Sequence, residues 1–251
     1  MRKAKNAFSS GDLVCAEKLC RQLLTQYSSY SDAWNLLGNI VIVSAPLEAF
    51  EYFRTAIKFS PTNSSFRHDL AKFLLENGDI AEALPQALEA FGIEPANSEY
   101  CFTLSSVIEL MGDRGSAISL YKHGLSLTES TSSLLAGFGG MLLRDEQVDQ
   151  ALLVLRRAVD FQPVSPDAYY LHAKCCNFHG FFHEALISIN IVVELLKYES
   201  LIYCEGALAM IGLNDKVNAI IWIEKALSFD PICSQALKIK AYLISAQGLS
   251  V

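Results

Sequence analysis

Small apolar residues recur along the chain at a fixed step. Ala49, Ala83, Ala117, Ala151, Ala185 and Ala219 stand 34 residues apart, and a second series, Ala71, Ser105, Gly139, Ala173, Ala207 and Ala241, keeps the same step. Seven residues beyond each alanine of the first series comes Ala56, Ala90, Gly124, Ala158, Val192 or Ala226. Five further on lies Pro61, Pro95, Pro163 or Pro231, with Glu129 and Lys197 in the two remaining places. A repeat in this size range indicates like units stacked on one another, not a single compact core.

Each unit predicts a helix hairpin. Between the two small-residue series there is room for a turn, and proline closes the second helix. In the first helix Trp34, Leu37, Gly38 and Val41 recur as Tyr169, His172, Ala173 and Cys176, a spacing that lies along one helical stripe. In the second helix the alanine, the residue four later (Phe53, Ala87, Tyr121, Leu155, Ile189 or Ile223) and the residue three beyond that form another stripe. This second stripe packs against the first helix and against the next unit, because neither helix can bury its apolar face alone. The fold class that follows is all-α, an α-solenoid of stacked antiparallel helix hairpins.

These residues resemble the tetratricopeptide-repeat family, whose pattern is a Trp, a Leu-Gly pair, a Tyr, then Ala, Phe, Ala and Pro. The clearest unit runs from Ser31 to about Asn63 and holds Trp34, Leu37, Gly38, Ala49, Phe53, Ala56 and Pro61. The resemblance covers nearly the whole chain and implies a right-handed superhelix forming one domain over residues 1–251. Six full repeats are expected over 31–233, starting near Ser31, Ser64, Ser98, Ser132, Pro166 and Ser200, after a partial repeat at 1–30. A capping helix at 234–251 should bury Leu237, Ala241 and Ile244 and turn Lys240 outward. Between Gly38 and Ala71 the step is one residue short, which places a deletion in the turn at Ser44–Pro46.

Composition narrows the function classes. Hydrophobic residues make up 51% of the chain and charged residues 19%, which excludes a disordered chain. The most apolar runs, 134–143 and 185–196, are too short or too interrupted for a membrane span of about 20 residues, so membrane insertion is not expected. A net charge of −7 and a pI near 5.3 argue against a nucleic-acid partner, which needs a basic face. Seven scattered cysteines suit free thiols, and a cytoplasmic location is expected.

Candidate chemistry is sparse. His172, Cys175, Cys176, His179 and His183 could gather soft ligands, but His172 and Cys176 fall on the stripe used by Leu37 and Val41, so packing accounts for them and no metal is expected. No third orienting group supports a cysteine nucleophile. The Gly137–Gly140 run lacks the Lys-Ser/Thr of a phosphate loop and falls mid-helix. Neither enzymatic activity nor a cofactor is therefore expected.

The resemblance implies a concave groove lined by first helices. Its predicted peptide-binding residues are Asn35, Asn39, His68, Lys72, Phe102, Ser106, Gly137, Gly140, Arg144, Tyr170, Lys174 and Asn177, with Asp69, Glu205 and Tyr242 also on the exposed face. Some family members grip a carboxylate with Lys, Asn and Arg. Here Asn39 matches, but Asn35, Asp69, Glu99 and Thr103 replace the rest, and the acidic members would repel a carboxylate. Asn35, Asn39 and Asn177 read as isolated, solvated side chains. Gly137 and Gly140 leave a bare waist for a partner segment, or else relieve crowding between first helices. The leading reading is a non-catalytic scaffold or adaptor that binds a protein or peptide; self-assembly into a homo-oligomer and a targeting module of a larger enzyme are its rivals.

Overall fold

The computed structural model of the chain describes residues 1–127, 131–162, 164–196 and 199–245. Glu129, Pro163 and Lys197 of the repeat pattern lie outside the described residues, as does 246–251 of the expected capping segment. The described residues form fifteen helices and no strand. They fall into two compact units, Met1–Glu129 and Ser130–Val251.

In the first unit four hairpins follow one another: α1 (Arg2–Ser9) with α2 (Leu13–Gln26), α3 (Ser31–Val41) with α4 (Pro46–Phe59), α5 (Ser64–Glu76) with α6 (Ile80–Ile93), and α7 (Ser98–Leu110) with α8 (Arg114–Ser126). The second helix of each hairpin packs on the first helix of the next, so α2 meets α3, α4 meets α5 and α6 meets α7. The second unit repeats the scheme with α9 (Ser132–Arg144) and α10 (Val148–Val159), α11 (Pro166–Phe178) and α12 (Phe182–Leu195), and α13 (Ser200–Gly212) and α14 (Lys216–Phe229). A single helix, α15 (Ser234–Ser245), packs on α13 and α14.

Local chemistry sets the helix ends. Asn63 and Asn97 cap first helices by accepting from the amides of Ser65 and Glu99, and Asp12, Asp113 and Asp215 cap second helices in the same way. Within the hairpins the turn uses one residue in the left-handed region: Gly11, Gly78, Gly112 and Gly180, with Glu146 and Asn214 at the equivalent places. The α3–α4 turn, where the step is one short, has no residue with positive φ, and Pro46 opens α4 directly. Pro85 sits inside α6, which continues through it, on the exposed side.

The hairpins close because a small residue on the first helix faces a large one on the second. A Cβ added at Gly38 would lie 2.7 Å from Phe53, and one at Gly139 would lie 2.6 Å from Leu155. Ala49, Ala83, Ala117, Ala151, Ala185 and Ala219 are fully buried. One expectation is corrected: α15 buries Ala236, Ile239 and Leu243, while Leu237 is 47% exposed and Ala241 also faces out. Lys240 and Ala241 occupy the repeat positions of Gly206 and Ala207, where a first helix meets its own second helix. Among the described residues no such helix follows α15, so only the face toward α13 and α14 is covered. Lys240 pairs with Glu224 at 3.8 Å.

Replacing Ala83 or Ala151 with Leu is expected to destabilise the chain by roughly 1–3 kcal/mol, since both sites lack room for added methylenes. Thermal or urea melts of the two variants measure this, and unchanged midpoints would contradict the packing role of the series.

Candidate functional site

Side-chain hydrogen bonds tie successive first helices together. In the first unit Asp69 on α5 accepts from Asn35 Nδ2 at 2.6 Å and from Asn39 Nδ2 at 3.3 Å, both on α3. His68 Nε2 lies 2.9 Å from Thr103 Oγ1 on α7, and the imidazole packs on Tyr100. In the second unit Asn177 on α11 donates from Nδ2 to Glu205 on α13, at 2.9 Å to its carbonyl and 3.0 Å to its carboxylate. Gln235 Nε2 on α15 reaches the other carboxylate oxygen at 3.3 Å. Asp69 and Glu205 occupy the same repeat position, four 34-residue steps apart, with Thr103, Gly137 and Leu171 between them.

Above the Asn177–Glu205 link lies a cavity of about 790 Å³. Its walls come from three first helices: Leu143 on α9, Lys174, Asn177 and Phe178 on α11, and Glu205, Leu208 and Ile211 on α13. Glu146, Val148 and Phe182, from the adjoining turn and second-helix starts, complete the rim together with Gly212. Phe182 packs face-on against the bare backbone of Gly212, so a methyl group there would collide with the ring. Glu205 is only 3% exposed, whereas Phe178 is 73% exposed. Burial, helped by the charge of Glu205, pushes the neighbouring Tyr170 hydroxyl up to about 12. Glu146 holds a left-handed backbone (φ 60°) where sister turns use glycine, a conformation that costs about 1 kcal/mol or more in a residue with a side chain.

A tetratricopeptide-repeat family model matches residues 52–84, from the middle of α4 into α6. Among solved structures, the APC/C hetero-tetramer Cut9–Hcn1 superposes with a TM-score of 0.85 at 14% identity, covering 96% of this chain and 48% of that one. A tetratricopeptide-repeat protein from Parabacteroides merdae gives 0.67 at 16% identity over 97% and 96% of the two chains. The chain is a tetratricopeptide-repeat-like helical repeat. Two curated relatives are similar at 23% identity. One is BBSome complex member bbs-4 of Caenorhabditis elegans, over 71% of this chain and 39% of the relative. The other is BBSome complex member BBS4 of Bos taurus, over 85% and 41%. The chain thus spans about two fifths of the length of these relatives. Among the described residues no helix is long and apolar enough to cross a membrane.

Within this repeat the predicted groove residues separate into two groups. Lys72, Arg144 and Lys174 are exposed, and Asn39, Phe102, Ser106, Gly137, Tyr170 and Asn177 are half-buried. Asn35, His68, Gly140 and Glu205 are buried, which corrects their placement on the exposed face. Nor are Asn35, Asn39 and Asn177 isolated and solvated: each spends its amide on a carboxylate of the next repeat. The physical reason is that adjacent first helices lie close enough for these side chains to span them. Gly140 abuts Leu171 on α11, which a Cβ would approach to 3.3 Å, so this glycine relieves crowding and does not leave a bare surface. The apolar walls Leu143, Phe178, Phe182, Leu208 and Ile211 escaped the sequence reading. A large aromatic beside a turn, outside both buried stripes, was the available signal.

The soft-ligand cluster resolves into hydrogen bonds. His172 Nδ1 meets Ser188 Oγ at 2.9 Å, Cys176 Sγ lies 3.5 Å from His172 Nε2, and Glu184 receives Arg156 at 3.0 Å. Ligand atoms of His172, Cys176 and Glu184 all lie within 4.8 Å of one another, Glu184 being a member the sequence pattern did not include. His183 is exposed, and His179 lies 3.4 Å from Asp149. Burial pushes the Cys176 thiol up to about 11 and Cys175 to about 12, opposite to what a nucleophile needs. With His172, Cys175, Cys176 and Glu184 engaged in packing, hydrogen bonds or an ion pair, a chelator is expected to leave the melting temperature unchanged; a loss of several degrees in EDTA, restored by Zn²⁺, would show ligation instead.

Burial also lowers His68 and His172 below the ordinary imidazole value of about 6.5. As pH falls through 6.5 the unfolded chain takes up protons that the folded chain refuses, so stability is full above that value and declines below it. Melting temperatures measured from above neutrality down to about pH 5 should fall, and His68→Gln or His172→Gln should flatten that fall even though each lowers the midpoint.

Proposed function

We propose that the chain holds a segment of another polypeptide against the inner face of its first helices, as a non-catalytic subunit of a multi-protein assembly. The cavity bounded by α9, α11 and α13 is the observation that carries this reading. It joins an exposed aromatic, Phe178, to apolar walls and a few polar groups, the composition of a site that anchors a side chain of a partner. Lys174, Asn177, Arg144, Tyr170 and Gly137 border the same face of the second unit, and Asn39, Lys72, Phe102 and Ser106 are the corresponding contacts in the first. The two curated relatives are members of a complex, which agrees with a scaffold role. Six buried, unbridged cysteines suit a reducing compartment such as the cytoplasm.

A photo-crosslinking residue in place of Phe178 tests the reading in cells, with one in place of the exposed Leu153 on α10 as the control. Crosslinks to one polypeptide from position 178 alone are expected, and Phe178→Ala should reduce recovery of that polypeptide about tenfold. Equal capture from both positions, or recovery indifferent to Phe178→Ala, would remove the cavity as the partner site. Crosslinking mainly to a second copy of this chain would establish self-assembly in its place.

A further inference from the structure

We infer that the cavity of the second unit selects a partner segment carrying an arginine, whose guanidinium meets Glu205 while an apolar neighbour lies against Phe178. This rests on reading the cavity as the partner site and specifies the chemistry it takes.

The floor of the cavity is rich in acceptors and lacks a cation. Glu205 is buried, and among the described residues no Lys, Arg or His pairs with it; its hydrogen bonds are to the neutral amides of Asn177 and Gln235. A carboxylate accepts about four hydrogen bonds, so both oxygens retain capacity. Asn177 commits both N–H groups to Glu205, which leaves its buried Oδ1 without a partner. Turning that amide over would set its oxygen against the Glu205 carboxylate, so the orientation is settled by chemistry. The buried Glu205 thus lines the cavity with acceptor capacity left and no cation paired with it among the described residues. Burying an unpaired charge is costly, and a partner that supplies the opposite charge recovers that cost on binding.

Groups around the floor favour arginine over the other donors. Glu146 adds a second carboxylate at the rim, against one cation, Lys174. Lys174 is exposed and forms no ion pair among the described residues. Phe178 and Phe182 offer aromatic faces, on which a planar, weakly hydrated guanidinium stacks better than an ammonium. An acidic segment would meet two carboxylates and no free donor at the floor.

Arrays of random 12-residue peptides, probed with the full chain, provide the test. Retained peptides should be enriched in arginine next to Leu, Met or Phe, and the tightest of them should lose about tenfold in affinity when its arginine becomes citrulline, its neutral isostere. Glu205→Gln, which keeps the shape of the side chain, should cost a similar factor, and the two changes together should cost little more than either alone. The citrulline comparison uses the unaltered protein, so the inference stays testable if Glu205→Gln fails to fold. Peptides that bind through the cavity, as shown by loss with Phe178→Ala, but without preference for arginine would overturn this inference and leave the partner-site reading intact. If citrulline costs as much against Glu205→Gln as against the parent, the guanidinium lies elsewhere and the inference fails. Retention of no peptide, or retention insensitive to Phe178→Ala, would sink both.

Discussion

Everything in each unit depends on the close approach of the two helices of a hairpin, which is possible only where one of them presents almost no side chain. Gly38 receives Phe53 and Gly139 receives Leu155, in the same pair of repeat positions. One position earlier the bulk can sit on either helix. In the α11–α12 hairpin His172 is the large member and Ser188 the small one, whereas in the α13–α14 hairpin Gly206 lies under the ring of Trp222. What recurs in these hairpins is one large side chain set against a small one, as close packing requires. This exchange also explains His172: it fills space that a tryptophan fills in the next hairpin, and Ser188 satisfies its ring nitrogen.

The same closeness creates the polar links between first helices. Once a helix lies near its successor, a side chain as short as Asn can reach across, and Asp69 and Glu205 are held in this way from the preceding repeat. Such links carry a cost, because the half-buried Asp69 and the buried Glu205 both lose hydration, and a buried ion without its counter-ion is destabilising. Asp69 and Glu205 each receive two amides, and Glu205 in addition lines the cavity of the second unit, about 790 Å³ in volume.

The hairpin fold was legible because the period depends on residue size at the helix contacts, and size is written directly in the sequence. Ala49 to Ala219 and Gly38 or Gly139 announce their role without knowledge of their neighbours. The inner face was much less legible. Asn35 and Asn177 looked like solvated amides because the partners that bury them, Asp69 and Glu205, lie on another helix about 30 residues away. Gly140 looked like an open waist because nothing in the sequence shows that Leu171 reaches it from the next repeat. The turn residues fall between these cases: Gly78, Gly112 and Gly180 signal left-handed backbone, but Glu146 adopts it without any signal. The capping helix misled in register for a related reason, since a stripe common to six first helices assumes a second helix that the described residues after α15 do not supply.

The division between legible and illegible residues follows from which constraints repeat. Positions that make the hairpin must satisfy the same geometry in every unit, so they converge on small and large apolar residues and become periodic. Positions on the inner face between first helices carry no such common demand. There Asp69, Thr103, Gly137, Leu171 and Glu205 stand at a single place in the repeat with five different side chains. A series with no shared packing requirement is free to vary from unit to unit. The cavity arises where one member of that series is acidic, its neighbours are apolar and an adjoining turn carries a second carboxylate. Its character is thus a property of one place in the repeat, set against a frame that the remaining positions hold constant.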